Sequence, residues 1–132
     1  MKKSLCLPLL LTALLLCGGC QKHEPEPDFS GLAQLTYSLQ ASVTGNATSE
    51  IHVAVYPTFF QDYVTVEAFP ASGEVATIYF SDEKGKYTKK IALPEGNRSQ
   101  VQVNFSGMPK AVYICEVQRG DKVDRYRLVK VR

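Results

Sequence analysis

Apolar and polar residues alternate along most of the chain from Leu32 onward. In the clearest run, residues 35–43, Leu, Tyr, Leu, Ala and Val take every other position, and Thr, Ser, Gln and Ser stand between them. Successive side chains of a β-strand point to opposite faces, so a period of two separates one face from the other. This run therefore predicts a strand with one buried face and one solvent-exposed face.

Seven further segments show the same alternation or a short apolar run, and turn residues rich in Gly, Pro, Asp and Asn separate them. They are residues 51–55, 64–68, 75–80, 87–93, 101–105, 111–117 and 123–131. Residues 82–85 and 119–122 have the composition of hairpin turns. No segment carries a helical period. We therefore predict an all-β fold for residues 32–132, an immunoglobulin-like antiparallel β-sandwich of about seven to eight strands.

The start of the chain has a different pattern. Lys2 and Lys3 precede an apolar run over residues 5–16. A run of this length fits the apolar region of a signal peptide, ~7–15 residues, and is short of the ~20 that span a bilayer as a helix. Residues 1–19 are therefore predicted to be a removable export signal.

Cys20 directly follows Gly18 and Gly19, as in the lipobox of bacterial lipoproteins, although Cys17 stands where that motif usually has Leu. We expect Cys20 to carry lipid and to anchor the protein in the outer membrane, on its periplasmic or surface face. Stable anchoring takes more than one acyl chain. The alternative is an ordinary secretory signal, with Cys20 an incidental thiol.

Residues 20–31 combine two prolines, three acidic residues and a single bulky apolar side chain. Such a segment buries too little apolar surface to offset its ordering entropy. We interpret it as a flexible tether between the anchor and the folded domain.

Charge and cysteine content exclude further classes of function. Without residues 1–19 the chain has thirteen basic and thirteen acidic residues. A balanced chain lacks the positive surface that nucleic-acid binding requires, so no nucleic-acid partner is predicted. Apart from Cys20 the exported part contains only Cys115, which lies in an apolar strand pattern and is expected to be a buried, unreactive thiol.

Residues with catalytic or metal-binding chemistry are scarce. His23 and His52 have no second His or Cys at ligand spacing, and no nucleophile elbow, phosphate loop or zinc motif occurs. We predict no metal, no cofactor and no enzymatic activity. A site assembled from loops, with carboxylates paired across strands, is the alternative that the sequence leaves open.

The C-terminal segment is the richest in positive charge, with six basic residues among the last fourteen. They include a candidate recognition edge, which consists of Arg125, Arg127, Lys130 and Arg132. The first two are two positions apart and so should share one sheet face. Their charges could recognise an acidic partner, a lipid head group or a translocon. Protection of an edge strand from aggregation is the alternative.

Two other short motifs have competing interpretations. Phe59 and Phe60 lie between Pro57 and Gln61 and could form an exposed apolar tip. Residues 119–121 read Arg-Gly-Asp, the integrin-binding tripeptide, but Gly-Asp is also typical of a hairpin turn, which we favour.

Four blocks of sequence resemble the C-terminal sorting domain of type IX secretion, also called the Por secretion tail. The blocks are Val55-Tyr-Pro57 with Val64-Thr-Val66, residues 76–82 with Gly85 and Lys86, residues 103–114, and residues 126–130. Their order and spacing agree with the family over roughly residues 51–132. The resemblance implies an immunoglobulin-like fold, a bacterial lineage and an exported location, here as a stand-alone domain behind a lipoprotein signal.

The function expected from the sequence is that of an exported lipoprotein that acts as a non-catalytic binding or accessory module of the cell envelope. Its partners would be the membrane, through the N-terminal lipid, and an envelope or secretion-system protein. The alternative is a small substrate of type IX secretion whose C-terminal strands are the sorting signal.

Overall fold

The computed structural model describes residues 25–42, 53–69, 74–94 and 98–132, and within them nearly all regular structure is β-strand. The strands are β1 (Thr36–Ser42), β2 (Val53–Tyr56), β3 (Phe59–Phe60), β4 (Tyr63–Ala68), β5 (Ala76–Asp82), β6 (Thr88–Ala92), β7 (Arg98–Asn104), β8 (Val112–Arg119) and β9 (Lys122–Lys130). Eight of them occupy the segments in which the alternation predicted strands. The ninth is the two-residue β3.

The strands form two sheets packed face to face, and the predicted β-sandwich is thereby confirmed. The four-stranded sheet has the order β1-β7-β4-β2, and the five-stranded sheet has the order β3-β9-β8-β5-β6. All neighbours are antiparallel except β3 and β9, which run parallel. As a result, β1, β2, β6 and the two-residue β3 lie at the sheet edges.

The core lies between the inner faces of the two sheets. In β5 and β7 every second side chain is buried, which is the burial pattern that a period of two produces. Burial of an aliphatic or aromatic side chain contributes about 1.5–3 kcal/mol relative to its exposure. The largest fully buried side chains are Tyr113, Phe80, Phe105, Leu32, Ile78, Ile91, Leu128, Val64, Val66, Val101, Val103 and Val117.

Phe105 is the centre of an aromatic cluster at one end of the sandwich. Its ring centroid lies 5.0 Å from that of Phe60, 5.4 Å from that of Phe80 and 5.2 Å from that of Tyr113, each in an edge-to-face arrangement. Edge-to-face pairs add about 0.5–1.5 kcal/mol to the burial itself. The Tyr113 hydroxyl donates to the backbone carbonyl of Pro109 at 2.5 Å, so its one polar group is satisfied.

The folded domain begins earlier than the sequence indicated. Phe29, which the sequence assigned to the tether, packs edge-to-face on Tyr113 with the ring centroids 5.6 Å apart. A 3-10 helix, Ser30–Gln34, follows and buries Leu32 completely. One aromatic residue in a polar segment is a weak signal, because its burial depends on a pocket that distant strands build.

Both predicted hairpin turns are present. Gly85 and Gly120 have φ values of +69° and +52°, in the left-handed region where a Cβ is unfavourable. Arg119, the last residue of β8, is 7% exposed as a whole and turns its side chain inward, and only Asp121 of the tripeptide's two charged residues is at the surface. Residues 119–121 thus form a structural turn whose arginine is not accessible to a receptor.

Several predictions concern residues outside the described ranges. These are the signal at residues 1–19, the lipidated Cys20, and both histidines, His23 and His52. In the part of the chain that the structure describes, no helix is long and apolar enough to cross a bilayer.

Candidate recognition edge

The C-terminal strand β9 has one partner along its whole length and another only at its end. It pairs with β8 from Lys122 to Val129. On its other side, β3 pairs with Val129 and Lys130 alone. Among the described residues, no strand pairs with the outer side of residues 122–128. We call this stretch the recognition edge.

The backbone of the recognition edge presents hydrogen-bonding groups on alternate residues. The amides of Val129 and Val131 donate to carbonyls of residues 58 and 60 at 2.7 and 2.9 Å, whereas Lys130 donates across to the carbonyl of Ala111, just before β8. Because a strand directs the N–H and C=O of every second residue to the same side, Val123, Arg125 and Arg127 present theirs outward. An edge of this kind is a template for another extended chain.

The side chains of Arg125 and Arg127 lie on the outer face of the five-stranded sheet, beside these backbone groups. They are 63% and 68% exposed. Arg125 lies 3.5 Å from Glu116, and Arg127 lies 3.7 Å from Glu83. Exposed ion pairs of this type contribute at most about 1 kcal/mol. A carboxylate of a partner can therefore replace Glu116 or Glu83 at little cost.

The structure separates Lys130 from Arg125 and Arg127, so the prediction that Lys130 belongs to the same candidate recognition surface was wrong. Positions 125 and 127 are odd and position 130 is even, which places Lys130 on the inner face of the same strand. Its side chain is 3% exposed, and its Nζ donates to the backbone carbonyls of Gln61 and Arg132 and lies 3.9 Å from an Asp62 oxygen. Lys130 thus holds the end of β9 in place, while Arg132 is exposed beyond the strand.

The predicted apolar tip is also divided between two faces. Phe60 is 2% exposed and belongs to the core, whereas Phe59 is 70% exposed. The two residues form β3, and adjacent residues of a strand point in opposite directions. The prediction of an exposed tip is therefore wrong for Phe60.

Sequence reasoning missed the apolar part of this surface. Phe59 lies beside Val129 in the parallel ladder, and Val123, near the start of β9, and Val131, just after its end, are 55% and 45% exposed. The outer face of the recognition edge thus combines exposed valine with arginine. The sequence did contain a signal for this surface, because Val123 and Val129 have odd numbers, like Arg125 and Arg127, and therefore lie on the same face of β9.

The remaining chemistry of the described residues is sparse. Cys115 is a free, fully buried thiol, and burial, with a smaller contribution from the charge of Glu116, raises its pKa well above the ordinary range. In residues 25–42, 53–69, 74–94 and 98–132, no three His, Cys, Asp or Glu side chains come together as metal ligands.

Comparison with known proteins gives one result that decides the family. Residues 54–131 match the family described as "Secretion system C-terminal sorting domain". The chain belongs to this family. The matched region covers more than half of the chain and runs from β2 to the residue after β9, so the sorting domain includes the recognition edge. No curated protein and no solved structure matches the chain significantly.

Membership confirms the relation to the type IX sorting signal that the sequence blocks indicated. It also indicates an exported, envelope-associated protein. The strand β1 and the 3-10 helix lie before the matched region, and β1 pairs with β7, a strand inside that region.

Proposed function

We propose that the domain is a non-catalytic sorting signal for type IX export, and that the secretion machinery recognises it along the recognition edge. The observation that carries the proposal is the coincidence of two features in β9. The family match ends at this strand, and the strand has an unpaired outer side, within the described residues, that presents backbone groups and two exposed arginines.

Recognition of this kind uses strand addition. An extended segment of the partner would pair with the outward backbone groups of Val123, Arg125 and Arg127, since main-chain hydrogen bonds give such complexes their affinity. Carboxylates of the partner would take the places of Glu116 and Glu83 beside the two guanidiniums. Charge complementarity of this type sets orientation and speeds association.

Charge reversal tests the role of the arginines. The double variant Arg125→Glu, Arg127→Glu should leave the fold intact, because both side chains are exposed, and should retain the protein in the periplasm. Lys90→Glu is the matched control, since Lys90 is an exposed base on the outer face of the same sheet, at the opposite edge. Protease treatment of intact cells and fractionation report the location. Normal export of the double variant would contradict the proposal.

Proline substitution tests the backbone separately. Arg127→Pro removes an outward N–H that pairs with no described strand, and edge strands tolerate proline at such positions. Lys90→Pro makes the same change on β6. The amide of Leu93 donates to the carbonyl of Ala76 in β5, and the direction of the amides alternates along the strand, so the amide of Lys90 points away from β5. We expect Arg127→Pro to block export and Lys90→Pro to allow it at similar stability. Equal export of the two variants would rule out strand addition at β9.

A lipid-anchored accessory module is the second candidate function. The lipobox-like Gly-Gly-Cys sequence ending at Cys20 supports it. In this case the domain binds an envelope partner while diacyl lipid on Cys20 holds it at the membrane. Intact mass of the exported protein reports acylation and C-terminal trimming together. A Cys20→Ala variant that stays in the membrane fraction would contradict this alternative.

A further inference from the structure

The outer face of the four-stranded sheet has a surface chemistry unlike that of the recognition edge. A shallow hollow of about 220 Å³ lies on it, lined by Ser38, Gln40, Thr65, Gln100 and Gln102. All five side chains are polar and uncharged. We call this surface the amide face.

The strand register sets these side chains in two rows across the sheet. In one row Ser38 lies beside Gln102, which lies beside Thr65. In the next row Gln40 lies beside Gln100. Neighbouring strands are about 4.8 Å apart, so each row presents hydrogen-bonding groups at a regular interval on a rigid support.

Most of these groups are available to a ligand. Within the described residues, the Gln40 and Gln102 side chains make no hydrogen bond, and each amide offers two donors and an acceptor. Gln100 donates to the Tyr56 hydroxyl at 3.5 Å, and that hydroxyl donates to Glu67 at 2.9 Å. This chain of contacts orients one side of the hollow and leaves the Gln100 carbonyl oxygen free.

The charge of the amide face identifies the class of ligand. Glu67 is the one carboxylate among the outward residues that the structure describes on this sheet, and it already accepts the hydrogen bond from Tyr56. Arg98 lies at the end of β7, where its guanidinium stacks on the Phe69 ring at 4.4 Å. Glu67 and Arg98 have opposite charges, so the outward residues that the structure describes on this sheet have no net charge to attract an ion, whereas an uncharged ligand rich in hydroxyl groups could pair with each amide.

Two exposed tyrosines complete the surface. Tyr56 and Tyr63 are 43% and 51% exposed, on the outward positions of β2 and β4. Sites for small ligands combine apolar ring surface with a few placed polar groups. The rings can pack on the C–H surface of a sugar while the amides bind its hydroxyls. A peptide is a poorer fit, because its backbone would be better satisfied at a sheet edge.

We propose that the amide face binds a neutral oligosaccharide. The proposal is independent of the sorting function, which uses the other sheet. Since both the glutamine amides and sugar hydroxyls donate and accept, each sugar ring can form several hydrogen bonds without burial of charge. Loss of two amides should weaken binding at least about tenfold, since each hydrogen bond contributes about 1 kcal/mol.

NMR titration of the full exported chain tests the proposal. The probes are maltohexaose, cellohexaose, mannohexaose and xylohexaose, each added to about 10 mM to detect millimolar binding. We expect saturable shifts of the Gln40, Gln100 and Gln102 side-chain amide signals with at least one of them. The Gln118 signal, on the outer face of the other sheet, should not move. Absence of shifts with all four probes would overturn the proposal.

Variants and a charged probe complete the test. Gln100→Ala, Gln102→Ala should raise the dissociation constant at least about tenfold, and Gln118→Ala should not change it. Polygalacturonate fragments, which are polyhydroxylated but anionic, should bind more weakly than the neutral probe. Unchanged binding by the double variant, or stronger binding of the anionic fragments, would overturn the assignment.

Discussion

Arg119 and Asp124 connect the two strands of the C-terminal hairpin from its inner side. Nη2 of Arg119 lies 2.8 Å from Oδ2 of Asp124, and the arginine side chain is 8% exposed whereas the aspartate is 37% exposed. Within the described residues, Nε and Nη1 of Arg119 are buried without a hydrogen-bond partner. The single contact with Asp124 is thus the main compensation for a buried positive charge beneath the recognition edge.

Removal of that carboxylate should destabilise the domain. Asp124→Asn leaves the guanidinium without a charged partner, and we expect a loss of about 2 kcal/mol. This is less than the ~3–5 kcal/mol typical of a fully buried pair, because water reaches Asp124. Urea unfolding measures the change. Asp121→Asn, in the exposed turn, should alter stability by less than about 0.5 kcal/mol, and an equally small effect of Asp124→Asn would contradict the prediction.

The adjacent aromatic residues of β3 should respond very differently to truncation. Phe60→Ala removes a ring that is 2% exposed and contacts Phe105, and should cost about 3–5 kcal/mol. Phe59→Ala removes a ring that is 70% exposed and should cost less than about 1 kcal/mol. Thermal or urea unfolding of the two variants shows whether only Phe60 is part of the core or whether both rings lie in one exposed tip. Similar losses would be evidence for a common environment.

Gly107 occupies the turn between β7 and β8 with a φ of +85°. The Met108 amide donates to the Phe105 carbonyl at 3.0 Å, and Gly107, the third residue of this turn, has positive φ while Ser106 does not, as in a type II turn. Beyond its chain neighbours, no atom lies within 4 Å of the position that a Cβ would occupy, so Gly107→Ala tests backbone conformation alone. We expect a loss of about 1–2 kcal/mol in urea unfolding. Ser106→Ala, next to it, is the control for an ordinary turn position.

Cys115 should make the stability of the domain decrease at alkaline pH. Burial raises the pKa of this thiol in the folded chain. Below about pH 8.5, the ordinary pKa of cysteine, the thiol is protonated in both states and its contribution is fully present. Above that pH the unfolded chain loses the proton while the folded chain keeps it. The free energy of unfolding should then fall by up to about 1.4 kcal/mol per pH unit.

The matched variant Cys115→Ala isolates this effect. Between about pH 8.5 and 10 its stability should fall less steeply than that of the unmodified chain; above about pH 10 the buried Tyr113, whose pKa burial also raises, adds its own dependence. The native thiol should also resist alkylation by iodoacetamide until the chain unfolds, because the thiolate is the nucleophile. Parallel stability curves for the two proteins, or rapid alkylation of the native chain, would contradict this account.

Strand β9 shows what the two-residue period of a strand can predict without a structure. The spacing of Arg125 and Arg127 was sufficient to place them on one face, since a strand has a fixed period of two. The same rule, applied to Lys130, would have put it on the opposite face. The charges of this segment indicated an edge strand, but the extent of the open side of β9 was not predictable, because it depends on the neighbours that the sheet order supplies.

The amide face depends on the tertiary structure even more strongly. Gln40, Gln100 and Thr65 come from three strands, and two of these strands are separated by about half of the chain. Each residue alone is an ordinary solvated position. Their convergence follows from the pairing of β1 and β4 with β7, which no local pattern specifies.

Alternation of apolar and polar residues determined the strands, the hairpin turns and the inward side chains of strands such as β5 and β7, because those features are set by neighbours in the sequence. It did not determine burial in β1, where Tyr37 and Leu39, on the face that the alternation predicted to be buried, are 45% and 38% exposed. Sheet order, the parallel pairing of Phe59 with Val129, the burial of Phe60, the contacts that enclose the Lys130 ammonium, the open side of β9 and the convergence of the amide face were decided only by the tertiary structure. These features depend on contacts between segments far apart in the chain, and a local period contains no information about which segments meet.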